Sequence, residues 1–175
     1  MTPRRLLILV TTATAVMALT GCVPEPAPTP TPTGFASEEE AFAAAEETYR
    51  AYVDALNARN SGEEDADPKD YLIGEALDAE LDVEARKAEL GLSIVGQTVV
   101  TSFTPQASRL IEDAVSVTAL ACLDSSDSQV VDKEGNEVTP DDQLTRYGLA
   151  LEFASAGGTL AIASSEIDSD ASCPS

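Results

Sequence analysis

The chain has 175 residues, 31 acidic and 10 basic, and a formal charge of −21 at neutral pH. So acidic a surface repels phosphate backbones, and no nucleic-acid partner is expected. The absence of histidine excludes a Ser-His-Asp triad, a Cys-His dyad and His-based metal sites.

Met1–Arg5 is a short basic segment, followed by the apolar run Leu6–Ala18. A helix of that run would reach about 20 Å, short of a bilayer core of about 30 Å. Its length suits the core of a signal peptide. Leu19, Thr20, Gly21 and Cys22 come next. The series resembles the lipobox of bacterial lipoproteins, a Leu and two small residues before an obligatory Cys. The resemblance implies a signal peptide over 1–21, cleavage before Cys22 and a diacylglyceryl thioether on its sulfur. A thiolate is the soft nucleophile such chemistry needs, and two acyl chains anchor stably where one does not. The expected location is the extracytoplasmic face of the cell membrane, with the membrane itself a partner through covalent lipid.

Residues 22–34 hold the lipid-bearing Cys22 and a tether, Val23–Gly34, with proline at nearly every second position. That pattern forbids helix and paired strand and favours extended polyproline II, a spacer of up to roughly 37 Å.

Residues 35–175 have the length of one ordinary domain, and the chain's 43% hydrophobic content is enough for a core. Ser37-Glu38-Glu39-Glu40 is a capping box that predicts a helix with Phe42, Ala45, Tyr49, Val53 and Leu56 inward, ended by Asn60-Ser61-Gly62. After the acidic loop Glu63–Asp67, Pro68 opens a helical stretch interrupted near Gly74. A further stripe of Leu77, Leu81, Ala85, Ala88 and Leu92 predicts another helix, closed near Gly91.

From Ile94 the periodicity falls to two. Strands are predicted over Val95–Phe103 and Val115–Leu123, the latter with Val115, Val117, Ala119, Ala121 and Leu123 on one face. A short hairpin is expected from Gln129–Asp132 and Glu137–Thr139. Tyr147, Leu149, Leu151 and Phe153 share one face of a long strand, which turns at Ala156-Gly157-Gly158 into a last strand, Thr159–Ile167. Helices followed by antiparallel strands make an α+β plan.

That order resembles the NTF2-like (SnoaL-like) cone, in which amino-terminal helices pack on a curved antiparallel sheet. Where members of that family often carry a Trp in the last hairpin, this chain has Leu160. A cystatin-like or other helix-on-sheet arrangement stays open. The Ala/Asp/Glu-rich composition, the Pro-Thr tether and Ala-Cys-Leu-Asp-Ser at 121–125 also resemble small actinobacterial lipoproteins.

With Cys22 lipidated, Cys122 and Cys173 remain as an even pair in an oxidising compartment, where a disulfide is the expected state. The alternative is two free thiols. The acidic runs Asp124–Asp127 and Asp132–Glu137 lack EF-hand spacing and read as solvated turns. Ala156-Gly157-Gly158 lacks the Lys and helix of a phosphate loop. No metal and no cofactor are expected.

Tyr49, Tyr52 and Asp54 form the one grouping suited to acid–base work. The leading expectation is a non-catalytic binding or accessory domain for a surface protein or a small ligand. The alternative is an isomerase- or cyclase-type enzyme with a Tyr/Asp pocket, as the NTF2-like resemblance would imply.

Overall fold

The computed structural model describes residues 34–173, apart from 64, 112, 113, 157 and 158. The expected signal segment, the lipobox-like series ending at Cys22, and the expected tether up to residue 33 lie outside the described residues. The described chain is α+β, with two helices and antiparallel sheets.

Helix α1 runs Glu38–Asn60, capped by the Ser37 side chain, which accepts from the Glu40 amide at 3.2 Å. The Glu40 carboxylate reaches back to the Ala36 amide at 2.7 Å, one residue beyond the N-cap. Ala41, Ala45, Tyr49 and Val53 form its buried stripe, the spacing that puts side chains on one helical face. A 3-10 turn, Pro68–Tyr71, follows, with Pro68 at its start as anticipated.

Gly74 does not interrupt a helix but opens the next one, α2, over Gly74–Leu90. Ala76 is the buried residue of α2. Of the expected inward stripe Leu77 packs against the core, but the rest is turned to the helix flank: Leu81 is 45% exposed, Ala85 and Ala88 are exposed, and Leu92 belongs to the following strand. The inward strip carries charge, and Arg59 of α1 holds it by pairing with Glu80 at 2.7 Å and with Glu84.

The predicted strand Val95–Phe103 is split in two. β1, Leu92–Val95, ends at Gly96, and β2 resumes at Val99 and runs on to Ile111. Gly96 has φ +89, and a Cβ there would sit 1.9 Å from the Asp127 carbonyl oxygen, so the backbone turns where only glycine fits. The Asn57 side-chain amide pins this turn to α1, donating to the Thr98 carbonyl at 2.8 Å and accepting from its amide at 2.9 Å.

β3 spans Ala114–Asp124, β4 Gln129–Asp132, β5 Arg146–Ala156 and β6 Thr159–Asp168. The large sheet has the order β2-β3-β5-β6, all antiparallel. β4 pairs with β1 and is also hydrogen-bonded to the segment after it, the Asp132 amide donating to the Asn136 carbonyl at 3.0 Å and the Val138 amide to the Val130 carbonyl at 2.8 Å. The expected short hairpin is present, with the bridge Val131 to Glu137, and Asp132 closes its loop by accepting from the Glu134 and Asn136 amides. Alternation on β3 and β5 is as anticipated. Val115, Val117, Ala119, Ala121 and Leu123 join Leu151, Phe153, Leu160 and Ile162 in one core cluster with the α1 stripe.

Cys122 and Cys173 form a disulfide with Cα atoms 5.5 Å apart. Closing that loop stabilises the fold by about 4 kcal/mol in the chain-entropy account. The carboxyl-terminal strap crosses β5 at Gly148, where a Cβ would lie 2.2 Å from that of Ala171.

Candidate functional site

Residues three apart on a helix share a face, and Tyr49 and Tyr52 do so with ring centroids 6.1 Å apart. Phe103 continues the aromatic row at 6.0 Å from Tyr49, and Phe153 meets Phe103 edge-on at 6.1 Å. Tyr49 is 1% exposed, yet its hydroxyl has no hydrogen-bond partner among the described residues. A buried hydroxyl left unpaired costs about 1–3 kcal/mol.

Both tyrosines line a cleft of about 360 Å³ between α1, α2 and β6. Leu72, Ala76 and Ile162 give it an apolar floor, while Glu75, Glu80 and Glu166 bring carboxylates to it. A second hollow of about 330 Å³ shares Tyr52, Glu80 and Val83 with the first and extends past Leu144 and Tyr147 to Arg59 and Lys87. The two are adjoining halves of one groove, and α2 forms its wall.

Burial pushes the Tyr49 hydroxyl far above its ordinary pKa, and the neighbouring Tyr52 and Tyr147 add to the effect. Tyr52 is raised as well, by burial first and then by Glu80, with Arg59 opposing. Burial likewise raises Tyr147. These phenols therefore stay protonated and act as neutral hydrogen-bonding groups rather than as bases. Arg59 occupies Glu80 and Glu84, and Lys69 pairs with Glu84 at 3.2 Å and with Asp67 at 3.0 Å.

Asp54 does not join the tyrosines. It is exposed and lines a shallow surface with Glu46, Glu47 and Arg50. Side chains two apart point to different sides of a helix, so Tyr52 and Asp54 cannot share a pocket. The expected Tyr/Asp pairing is not assembled, and Glu80 from α2 is the carboxylate beside Tyr52.

Cys122 and Cys173 are brought together as the expected disulfide. Leu19, Thr20, Gly21 and Cys22 fall outside the described residues. Asp124 accepts from the Ser126 amide at 3.0 Å and from Arg146 at 2.8 Å. The hydrogen bonds to Ser126 first, then Arg146, lower its pKa to about 2. Among the described residues no three Cys, Asp or Glu side chains gather in a metal-binding arrangement.

Glu80, Arg59, Lys87 and Tyr147 do not stand out in the sequence, since three separate elements bring them to the groove. One signal is present: Glu80, Glu84 and Lys87 recur at helical spacing, a charged strip within an otherwise amphipathic helix.

No family profile and no curated protein matches the chain. Among solved structures it is similar to the intermembrane space region of the chloroplast protein ARC6. Identity is 16%, the match covers 70% of this chain and 92% of that one, and the TM-score is 0.50. Aln2 from a Streptomyces species is a looser match at 13% identity, covering 75% of this chain and 91% of that one, with a TM-score of 0.38. The first of these likenesses is one of fold alone.

Proposed function

We propose that this chain is an extracytoplasmic lipoprotein, held to the membrane through lipid on Cys22, whose α+β body binds a small ligand in the tyrosine groove. In this reading the body is an NTF2-like cone. The helices rest in a sheet curved by irregularities in β2, at Val100/Ser102 and Pro105/Ala107, and in β6, opposite Glu152/Phe153. Bulges of this kind bend and twist strands. The observation that carries the ligand reading is a cleft with an apolar floor whose lining includes Tyr49, a side chain whose buried hydroxyl finds no hydrogen-bond partner among the described residues. Binding sites are typically apolar hollows with a few convergent polar groups, and this cleft combines Leu72, Ala76 and Ile162 with Tyr52, Glu75, Glu80 and Glu166. Binding is preferred to acid–base catalysis because Asp54 faces solvent and Arg59 engages Glu80.

Two measurements test this. Mass spectrometry of the native membrane fraction should find a mature peptide beginning at Cys22 and carrying acyl mass. A mature terminus elsewhere, or a bare cysteine, would overturn the anchor. For the groove, Tyr49→Phe should leave the melting temperature of the empty protein unchanged or raise it, because it deletes an unsatisfied group. A fall of several degrees would mean that the hydroxyl already has a partner, and the ligand reading would lose its basis.

A further inference from the structure

The groove's two halves differ in sign. Glu75 and Glu166 stand at the half beside Tyr49, and neither makes an ion pair among the described residues. The other half ends at Lys87, a half-buried residue on the inward strip of α2. Lys87 also makes no ion pair and no hydrogen bond among the described residues. This is unexpected in a chain with 31 carboxylates. The reason lies next to it: Arg59 and Lys69 have claimed Glu80 and Glu84. Burial first, and the Arg59 charge second, make the ammonium form of Lys87 less favourable than usual, with Glu80 and Glu84 opposing from a distance, so an anion in direct contact would restore it. This half is lined by Tyr52, Val83, Ile94, Leu144 and Tyr147 together with polar side chains such as Asn60, Gln129 and Gln143, so an apolar ligand body has side chains to lie against beside the Lys87 charge.

We infer that the ligand is a small molecule with an apolar, ring-sized body and one oxyanion, a carboxylate or a sulfonate, whose charge pairs with Lys87 while the body lies along Tyr52, Val83 and Leu144. This inference rests on the groove being a ligand site. It adds the ligand's charge and its orientation: the anionic end lies away from Glu75 and Glu166, and the far end points toward the half that Tyr49 lines.

Two fluorescent probes with the same body separate the possibilities. 8-Anilinonaphthalene-1-sulfonate carries the oxyanion, and N-phenyl-1-naphthylamine is its neutral counterpart. Each is titrated into the full-length protein and into Lys87→Met, Lys87→Arg and Lys133→Met. The last is a control, since the Lys133 side chain is 78% exposed. The inference expects saturable one-to-one binding of the sulfonate to the unaltered protein, at least ten-fold tighter than the neutral probe. Lys87→Met should weaken the sulfonate ten-fold or more and leave the neutral probe unchanged. Lys87→Arg should retain most of the affinity, and Lys133→Met all of it. Equal binding of both probes, unmoved by Lys87→Met, would keep the groove and overturn the anionic ligand. An equal loss in Lys133→Met would reduce the effect to general surface charge and overturn it too. No binding of either probe would remove the groove reading itself. Circular dichroism melts of each variant guard against loss of fold, and Lys87→Arg keeps the test decisive if the Met variant is unstable.

Discussion

The two helices are both amphipathic in sequence, yet they meet the rest of the molecule in opposite ways. α1 turns Ala41, Ala45, Tyr49 and Val53 into the core and leaves its Glu46–Arg50 pair in solvent. α2 buries Ala76 and then turns charge inward. The Glu80 side chain is only 11% exposed, whereas Leu81 beside it is 45% exposed. Apolar burial is large and non-directional, so α1 is fixed wherever its stripe meets the sheet. Ion pairs are directional, modest and weakened by salt, so α2 is held at defined points by Arg59 and Lys69. The groove thus has one rigid wall and one adjustable wall.

The largest expected effect tests the rigid wall. Tyr49→Ala should cost about 3–5 kcal/mol in urea unfolding, the range for deleting a buried aromatic side chain. A loss below about 1 kcal/mol would mean that α1 is not held by its apolar stripe. Next comes the adjustable wall. Arg59→Ala, which removes two charge-assisted bonds, should cost about 1.5–3 kcal/mol. Amide exchange should rise along α2 and stay unchanged along α1. Equal acceleration in both helices would erase the distinction drawn here.

The pH response sharpens the comparison further. Hydrogen bonds from the Lys69 backbone and side chain hold the Asp67 carboxyl below its usual range, and the hydrogen bond to Asp67 holds Lys69 above its own. A depressed carboxylate contributes stability above its unfolded pKa of about 3.9, and loses it as pH falls through the folded value. A raised lysine contributes below about 10.4 and loses it as pH rises through its folded value. Amide signals of the Pro68–Tyr71 turn should therefore hold steady between about pH 4 and 10 and shift outside that window. Those of α1 around Tyr49 and Val53 should not. The smallest effect belongs to the exposed flank of α2. Leu81→Ala should change stability by less than about 0.5 kcal/mol. A loss near that of a core leucine, about 2 kcal/mol or more, would show that this flank is covered.

Legibility follows the same division. The α1 stripe and cap, the inner faces of β3 and β5, and the last strand can all be read because each is a local period set by one face meeting the core. β2 departs from the sequence expectation at its start, since the Gly96 turn answers to the approach of Asp127, which is remote in the chain. The apolar stripe of α2 is real in sequence but does not set the helix's orientation, because the Arg59 and Lys69 cations that do so come from elsewhere. At the candidate site, the shared face of Tyr49 and Tyr52 is visible, and the wrong side of Asp54 is already implied by its spacing. Glu80, Lys87 and Tyr147 are beyond reach, since no local pattern says which helix lies across which strand.

From sequence alone came the acidic, histidine-free character, the α+β order, the aromatic face of α1 and the even cysteine pair that proved to be the Cys122–Cys173 disulfide. Composition and short-range periodicity settle such features, because they follow from residue chemistry and helix or strand geometry. It took the tertiary structure to turn the α2 carboxylates inward and to leave, among the described residues, the Tyr49 hydroxyl without a hydrogen bond and Lys87 without an ion pair. Each depends on which distant groups arrive within about 4 Å of one another, the reach at which an ion pair or hydrogen bond forms.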